Sequence, residues 1–216
     1  ALLMLNLCEI FCSIQGETTY AGYPCIFIRL AGCNLRCRYC DTTYSYETSF
    51  RKSLSDIIVD CLSYHPVKLV AITGGEPLLQ KEIYGLFPAL QENGFQILLE
   101  TNGSLLLKDV PEYVHKIVDI KSPGSGEEGS FLKENISFLN SEKDEIKFVI
   151  TDEKDYLWMK NKIRSLNLAD NLLLVSPAWG LLPPDKLAAW LVRDGLKIKL
   201  QLQLQKYIWP AESRGV

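Results

Sequence analysis

Three cysteines lie close together in the segment AGCNLRCRYCDTT, residues 31–43. Cys33, Cys37 and Cys40 follow the spacing C-x3-C-x2-C, and most of the residues around them are polar. This polar setting argues against three cysteines that fall together by chance in a core. Because thiolates ligate zinc and iron–sulfur clusters, the segment predicts a metal centre.

The number of thiols favours an iron–sulfur cluster over zinc. A structural zinc site usually takes four Cys or His ligands, and both histidines, His65 and His115, lie in unrelated segments. A [4Fe–4S] cluster usually takes four cysteines, so three leave one iron open to a small chelating molecule. Arg36 and Arg38 flank the thiols and are expected to lower their pKa. We therefore predict a [4Fe–4S] cluster with one open iron.

The elements that position these cysteines alternate between strands and helices. Apolar runs predict a buried first strand in LLMLNL and further strands at 25–30, 68–73, 95–100, 116–120, 145–150, 171–175 and 196–204. Helical spacing predicts helices at 53–64, 80–93, 130–139, 153–168 and 184–194. Strands that are apolar throughout are typical of a parallel sheet covered on both faces.

The same alternation predicts the fold class and the place of the active site. Polar, glycine-rich segments follow the strands, and in barrel-like α/β folds the loops at the carboxyl ends of the strands build the active site. The 216 residues are too few for a complete eight-unit barrel of about 250 residues. We predict an α/β fold, an incomplete TIM-like barrel of about six βα units.

The composition argues against two kinds of binding partner, nucleic acid and the membrane interior. A net charge of −3 offers no strong basic field for nucleic acid, and no apolar run reaches the roughly 18 residues of a membrane span. The start of the chain lacks the basic leader of a signal peptide.

Seven cysteines, an odd number in a chain of this size, favour the reducing cytoplasm. Four of them are expected to be small buried apolar residues: Cys8, Cys12, Cys25 and Cys61.

Several motifs resemble a known enzyme superfamily. The cysteine triad, with Tyr39 before its last cysteine, resembles that of the radical S-adenosylmethionine (SAM) enzymes, and the residues TGGEP (73–77) resemble their motif for the amino group of SAM. Within that superfamily the chain resembles the 7-carboxy-7-deazaguanine synthase family over nearly its whole length. The segments that carry the second resemblance are SIQGET (13–18), ETNG (100–103), DIKSPGSG (119–126), VSPAWG (175–180) and QKYIW (205–209).

The resemblance implies an activity, cofactors and partners. It implies a lyase that converts 6-carboxy-5,6,7,8-tetrahydropterin to 7-carboxy-7-deazaguanine and ammonia, in the biosynthesis of queuosine and other 7-deazapurines. A 5′-deoxyadenosyl radical would remove hydrogen from C6 of the pterin, the ring would contract, and the hydrogen would be returned before ammonia leaves. The implied cofactors are a [4Fe–4S] cluster, SAM and Mg²⁺. The implied partners are the pterin substrate, a second copy of the chain and an electron donor such as flavodoxin or ferredoxin.

The resemblance also assigns roles to individual residues. Cys33, Cys37 and Cys40 resemble the cluster ligands, and Thr42 resembles the Mg²⁺ ligand. The residues that resemble the SAM-binding set are Tyr39, Asp41, Gly74, Gly75, Glu76, Thr101, Asn102, Lys121, Ser122 and Pro123. Those that resemble the substrate-binding set are Ile14, Gln15, Gly16, Glu17, Arg29 and Thr73. Lys147 is a further candidate, with an exposed polar position on the sheet as the alternative.

Two of these assignments also have a physical argument. The Glu17 carboxylate can accept two parallel N–H bonds from the guanidine-like edge of a pterin. Arg29 lies inside the apolar strand FIRLAG, where a charge is costly unless it is paired, and its planar fork suits a substrate carboxylate.

The expected layout is a single domain over residues 1–216. It contains an N-terminal strip that meets the substrate (about 8–24, hereafter the N-terminal strip) and a short C-terminal extension (about 205–216).

Two departures from the family pattern and two rival functions remain. Gln205 stands where a histidine is expected before the lysine of QKYIW, and Thr18 stands where glycine is common after QGE. One rival is an activase that installs a glycyl radical on a partner enzyme, which should lack the QGE strip. The other is a non-catalytic iron–sulfur protein, which would not cleave SAM.

Overall fold

One sheet runs through the part of the chain that the computed structural model describes, residues 3–216. Residues 1 and 2, which the predicted domain and first strand include, lie outside the described residues. Within them the sheet has nine strands in the order β3-β1-β2-β4-β5-β6-β7-β8-β9. The strands are β1 (Met4–Ile14), β2 (Pro24–Leu30), β3 (Phe50–Ser53), β4 (Leu69–Gly74), β5 (Gln96–Thr101), β6 (His115–Asp119), β7 (Glu145–Ile150), β8 (Leu172–Pro177) and β9 (Lys199–Leu200). The helices are α1 (Leu54–Ser63), α2 (Ile83–Glu92), α3 (Glu153–Ser165), α4 (Pro184–Asp194) and α5 (Gln205–Ile208).

The sheet is parallel from β2 onwards. Strands β2 and β4 to β9 all pair in parallel, while β1 and β3 add an antiparallel pair of strands at one edge. The carboxyl ends of the six long parallel strands therefore meet at one edge of the sheet. This arrangement confirms the predicted α/β fold with an incomplete barrel.

The helices bury their apolar faces against the sheet in two main clusters. In the larger cluster Ile57 of α1 and Leu86 of α2 pack with strand residues such as Ile72. In the second, Tyr156 of α3 and Leu187 of α4 pack with residues of β7 and β8. Burial of these side chains stabilises the fold by roughly 1.5–3 kcal/mol each. The clusters leave the carboxyl ends of the strands free to carry loops.

Local sequence signals set several helix boundaries as predicted. Ser53 caps α1, and its hydroxyl accepts a hydrogen bond from the backbone N–H of Asp56 at 3.1 Å. Helix α4 begins at Pro184 and ends at Asp194, and Gly195 follows in the left-handed conformation with φ of 58°. Helix α2 starts at Ile83, later than predicted, because a 3₁₀ turn over Pro77–Leu79 precedes it.

The helix predicted over 130–139 is wrong. The structure has a 3₁₀ helix at Lys133–Phe138, built around the buried side chain of Asn135. The Asn135 amide nitrogen donates to the carbonyls of Gly103 and Leu105, both at 2.9 Å, and its oxygen accepts from the N–H of Leu107 at 2.9 Å. The segment is therefore shaped by the loop after β5 and not by helical periodicity.

The long strand predicted over 196–204 is also wrong. Only Lys199–Leu200 pair with β8, and the chain then leaves the sheet. Gln201, one of the alternating polar residues that suggested a strand, is buried, and its amide donates to the carbonyl of Thr18 at 2.9 Å. No helix within residues 3–216 is long and apolar enough to cross a membrane.

Three of the four cysteines expected in the core are buried. They are Cys8, Cys25 and Cys61, whereas Cys12 is half-buried. These side chains pack as small apolar residues, and burial raises the pKa of each thiol, for Cys61 to about 12.

Candidate active site

A cavity of about 460 Å³ opens where the parallel strands end. The last residues of successive strands, among them Arg29, Thr73, Thr101, Asp119 and Ser176, line it. The predicted site residues that also line the cavity are Ile14, Gln15, Gly16, Glu17, Cys33, Cys37, Tyr39, Cys40, Asp41, Thr42, Gly74, Gly75, Asn102, Lys121 and Lys147. The predicted residues that do not line it are Glu76, Ser122 and Pro123.

Backbone hydrogen bonds hold the segment that carries the cysteines, residues 31–42, which we call the cysteine loop. The Glu76 N–H donates to the carbonyl of Gly32 at 2.8 Å. The Arg38 N–H donates to the carbonyl of Ser125 at 2.9 Å. Two further loops at the carboxyl ends of strands thus fix the cysteine loop at the mouth of the cavity.

The cysteine geometry suits a cluster better than a single ion. Within residues 3–216 no three His, Cys, Asp or Glu side chains stand close enough together to ligate one metal ion. A four-iron cluster takes one thiolate per iron and so does not require its thiols to converge on a single point. All three thiols are half-buried and free, and they face the same cavity.

The thiol pKa values differ from the prediction. Burial raises the pKa of Cys33 and raises that of Cys37 to about 11, while the charge of Lys121 opposes both shifts. The expectation that Arg36 and Arg38 lower these pKa values is therefore wrong. The Arg36 guanidinium lies over the Tyr46 ring, 4.2 Å from its centroid, and Arg38 packs beside Gly126.

The loop TGGEP approaches the cysteine loop so closely that it requires glycine. Gly74 has a φ of 145°, and a Cβ there would overlap the backbone of Leu30. A Cβ on Gly75 would overlap the carbonyl of Gly32 and the Cβ of Cys33. The two glycines therefore expose backbone groups to the cavity directly beside Cys33, a predicted cluster ligand.

Glu76 holds loops together instead of facing the cavity. Its carboxylate is fully buried and accepts from the Asn102 N–H at 2.7 Å, the Thr101 hydroxyl at 2.9 Å and the Leu78 N–H at 3.0 Å. Ser122 is also fully buried, and its hydroxyl donates to the carbonyl of Val149 at 2.8 Å. In this arrangement both residues position the loops that line the cavity, and their predicted contact with SAM stays a prediction.

An ion pair between Glu17 and Lys147 lines the part of the cavity formed by the N-terminal strip. The Glu17 carboxylate pairs with the Lys147 ammonium, and both side chains are only 15% exposed. Burial alone would raise the pKa of Glu17, but the charge of Lys147 and its hydrogen bond outweigh burial and lower it. Lys147 is therefore a buried cavity residue and not a polar residue on an exposed face.

Arg29 forms an ion pair, as expected for a charged residue in an apolar strand. Its Nε donates to Glu9 Oε1 at 2.7 Å, and the Tyr44 hydroxyl donates to the same oxygen at 2.8 Å. Glu9 and Arg29 face each other in the β1–β2 register. The pair keeps the guanidinium charged and fixed at the cavity wall.

Glu100 is a cavity residue that sequence reasoning missed. Its carboxylate accepts from the Thr73 hydroxyl at 2.9 Å and from the Gln15 amide at 3.4 Å. Burial, followed by the negative charge of Glu17, raises its pKa. The signal was present, because Glu100 ends the apolar run FQILLE just as Arg29 interrupts another strand.

The cavity concentrates polar atoms that have no partner. Seven buried side-chain N or O atoms among the described residues make no hydrogen bond, and four of them belong to residues that line the cavity. These four are Tyr39 Oη, Asp119 Oδ1, Ser176 Oγ and Gln205 Oε1. Because buried polar atoms without partners are rare in native proteins, their concentration here indicates a polar ligand. Such a cavity suits SAM and a pterin.

Comparison with known proteins places the chain in a family. The model of the Radical SAM superfamily matches residues 27–122. The 7-carboxy-7-deazaguanine synthase of Chlorobaculum tepidum is 43% identical over 98% of this chain and 97% of its own length. The corresponding protein of Koribacter versatilis is 41% identical over 98% of this chain and 100% of its own.

The chain belongs to the 7-carboxy-7-deazaguanine synthase family. Members of the family are radical SAM enzymes, so the cofactors of this protein are a [4Fe–4S] cluster and SAM.

Solved structures agree with this placement at the level of the fold. The crystal structure of QueE from Escherichia coli superimposes with a TM-score of 0.75 at 22% identity, over 92% of this chain and 94% of that one. Streptococcus suis SuiB bound to S-adenosylmethionine gives a TM-score of 0.54 at 15% identity, over 78% of this chain and 44% of that one.

The structure explains one departure from the 7-carboxy-7-deazaguanine synthase pattern and describes the other. Thr18 has a φ of 68°, a left-handed conformation that favours glycine, the residue common there in the family. Its hydroxyl accepts from the N–H of Tyr20 at 3.0 Å, which offsets part of the strain. Gln205, in place of histidine, packs against Gly16, and its amide donates to Glu17 Oε1 at 3.2 Å.

Proposed function

We propose that this protein converts 6-carboxy-5,6,7,8-tetrahydropterin to 7-carboxy-7-deazaguanine with release of ammonia, in the biosynthesis of queuosine and other 7-deazapurines. The observation that carries the proposal is that one cavity joins the cysteine triad to the QGE residues of the N-terminal strip. A glycyl-radical activase would need the first of these features but not the second.

The cysteine side of the cavity would hold the cofactors. Cys33, Cys37 and Cys40 would ligate the cluster, and the backbone at Gly74 and Gly75 would meet SAM. The chemistry that the bound cofactors supply is a 5′-deoxyadenosyl radical, which removes a hydrogen atom from the substrate. Lys121, paired with Asp119 at 2.7 Å, places a positive charge beside the thiolates and compensates their charge.

The opposite side would hold the pterin. The Glu17 carboxylate would accept N–H groups of the pyrimidine edge, while Lys147 keeps Glu17 ionised. Arg29 would bind the substrate carboxylate with the guanidinium N–H groups that do not bond to Glu9. The stacked rings of Phe11 and Phe27, with centroids 5.0 Å apart, form an apolar part of the cavity lining against which a flat ring can pack.

Two more residues would act on the substrate directly. Thr42, whose hydroxyl donates to Asp41 Oδ1 at 3.0 Å, would offer an oxygen to Mg²⁺, with substrate oxygens and water completing the octahedron. Glu100, whose pKa burial raises, would hold a proton more readily than an exposed carboxylate and could exchange it with a substrate nitrogen.

The remaining expectations concern the whole protein. We propose that it is a single domain, with the N-terminal strip at about 8–24 and a C-terminal extension at about 205–216. We further propose that it works in the cytoplasm as a homodimer and receives its electron from a flavodoxin or a ferredoxin. Size-exclusion chromatography with light scattering, and reduction of the cluster by each donor, would test the last two points.

An anaerobic product assay tests the proposed reaction. The reconstituted protein is incubated with carboxytetrahydropterin, SAM, Mg²⁺ and dithionite, and we expect 7-carboxy-7-deazaguanine and ammonia in equal amounts. A Cys37→Ala variant is the matched control and should form neither. Cleavage of SAM without a deazaguanine would contradict the proposed substrate and favour an activase. Absence of SAM cleavage would instead favour a non-catalytic iron–sulfur protein.

A further inference from the structure

The segment after β9, residues 203–206, lies between the N-terminal strip and the cysteine loop. Its backbone is attached to the strip, because the Leu204 N–H donates to the carbonyl of Gly16 at 3.1 Å. Its side chains reach both neighbours. The Gln203 amide nitrogen donates to Glu17 Oε1 at 3.0 Å and to Asp41 Oδ2 at 3.2 Å.

An amide is well suited to this position. Its nitrogen carries two N–H groups that diverge from a single atom, so it can serve two acceptors at once. Both acceptors are carboxylates, and hydrogen bonds to charged groups are stronger than those between neutral groups. Among residues 3–216 no other side chain donates a hydrogen bond to both the N-terminal strip and the cysteine loop.

The charges around Gln203 show why such a link is needed. Glu17 is paired with Lys147 on β7, and Asp41 is paired with Lys206 at 2.7 Å. Each carboxylate thus has its own cation, but the two like charges still repel each other. Gln203 lies between them and attracts both.

We propose that Gln203 is a positioning residue, which fixes the N-terminal strip relative to the cysteine loop and so sets the distance between bound pterin and the radical source. This role rests on the proposed function. Its consequence is that loss of the amide loosens substrate binding and separates hydrogen abstraction from product formation, while the cluster remains intact.

The chain contains a matched control two residues away. The Gln205 amide donates to Glu17 Oε1 at 3.2 Å but makes no bond to the cysteine loop in the described structure. Gln205→Met therefore removes a hydrogen bond to Glu17 alone. Gln203→Met removes bonds to Glu17 and Asp41 together.

Steady-state kinetics give the first test. We expect Gln203→Met to raise the KM for carboxytetrahydropterin about tenfold and to increase the 5′-deoxyadenosine released per product, with unchanged cluster absorbance. Gln203→Asn, too short to span both carboxylates, should behave alike. Gln205→Met should raise KM without increasing the release of 5′-deoxyadenosine. Equal release from the Gln203 and Gln205 variants would overturn the proposal.

A second test does not depend on activity. The melting temperature of the cluster-free protein is measured for Glu17→Gln, Asp41→Asn and the double variant, in the wild-type, Gln203→Met and Gln205→Met backgrounds. We expect the two substitutions to be coupled to the same extent in the wild-type and Gln205→Met backgrounds. The coupling should change when Gln203 is replaced, because only the repulsion between the two carboxylates then remains. A coupling that Gln203→Met leaves unchanged would refute the link. If the wild type forms no product but shows this coupling, the proposed reaction fails and the role of Gln203 in joining the segments stands.

Discussion

Single residues at the mouth of the cavity are constrained by steric contact as much as by chemistry. Gly75 touches the carbonyl of Gly32 and the Cβ of Cys33, so the loop after β4 and the cysteine loop share one contact surface. A side chain at Gly75 would push Cys33 away from its place. The position of Cys33, a proposed cluster ligand, thus depends on the absence of a methyl group in another loop.

Gly75→Ala should therefore prevent cluster assembly without unfolding the protein. We expect the far-UV circular dichroism to be retained. The iron content and the visible absorbance of the cluster should fall at least several-fold. Gly94→Ala is the control. Gly94 has a φ of 74° but open space around its Cβ position, so alanine there should cost about 1 kcal/mol and leave the cluster intact. Normal iron content in Gly75→Ala would contradict the steric argument.

The Glu100 carboxylate would serve the proposed reaction, but its ionised form reduces the stability of the folded protein. Burial raises its pKa above the ordinary 4.5, so its ionised form destabilises the folded state. A group whose pKa is higher in the folded state than in the unfolded state stabilises the fold at pH values below its unfolded-state pKa. That stabilisation is lost as the pH rises through the folded-state pKa. Wild-type protein should therefore lose stability relative to a Glu100→Gln variant as the pH rises above about 4.5.

We expect Glu100→Gln to be more stable than wild type by about 1 kcal/mol at pH 8, with a smaller difference at pH 5, and to have reduced turnover. Urea unfolding of the cluster-free proteins at both pH values measures the difference. Replacement of the exposed Glu112 by Gln is the control for the loss of one carboxylate. If the stability of Glu100→Gln relative to wild type were lower at pH 8 than at pH 5, the argument from the raised pKa would be contradicted.

Most of the site residues predicted from the sequence line the cavity, but the sequence could not identify their partners. Cys33 was predicted from the type and spacing of the cysteines, and Glu17 and Arg29 from the family resemblance supported by a physical argument. The pairing of Glu17 with Lys147 joins residues 130 positions apart, and it depends on the register of the sheet. The thiol environment was mispredicted for the same reason, since Lys121 comes from a loop distant in sequence from Arg36.

At the scale of elements, the N-terminal strip is held by contacts at the start of two strands. Glu145, the first residue of β7, is fully buried and accepts from the Thr19 hydroxyl at 2.5 Å and the Thr19 N–H at 3.0 Å. The same oxygen lies 2.7 Å from Nε2 of His115, the first residue of β6. The strip that carries Glu17 is thus anchored to the sheet two residues further along.

Glu145→Leu should weaken this anchor strongly. It leaves His115 and the Thr19 N–H without their acceptor, at a cost of about 3 kcal/mol in the free energy of unfolding. We also expect a higher KM for the pterin with little change in cluster content. Thr19→Val, which removes only the hydroxyl bond, should cost about 1 kcal/mol. Urea unfolding and steady-state kinetics check both variants, and equal losses of stability would argue against a shared anchor.

Elements were predictable where local periodicity and tertiary packing agree. Helix α4 and strand β7 match their predicted bounds because their apolar faces meet the core. The predictions failed at 130–139 and 196–204, where polar side chains serve another segment. Asn135 bonds the backbone of the loop after β5, and Gln201 bonds Thr18. Such long-range polar contacts leave no periodic signal in the sequence.

At the scale of the whole molecule, the apolar cores lie apart from the metal centre. The two main clusters consist mostly of strand and helix residues, and none of Cys33, Cys37 and Cys40, the proposed cluster ligands, belongs to them. A chain of 216 residues buries enough surface to fold without the help of a metal. The cluster is therefore a ligand of a formed scaffold, unlike the zinc of a small zinc-binding domain.

Removal of iron by a chelator should consequently leave the protein folded. We expect an unchanged far-UV circular dichroism spectrum and one cooperative unfolding transition, because the sheet and both apolar clusters persist. The melting temperature should rise by several degrees on reconstitution, since a ligand that binds only the folded state stabilises it by mass action. Limited proteolysis should cut the cluster-free protein first within residues 31–48, where the chain has no long strand or helix, and reconstitution should protect these sites. Loss of the cooperative transition, or early cleavage within β4 to β8, would mean instead that the cluster is part of the folding core.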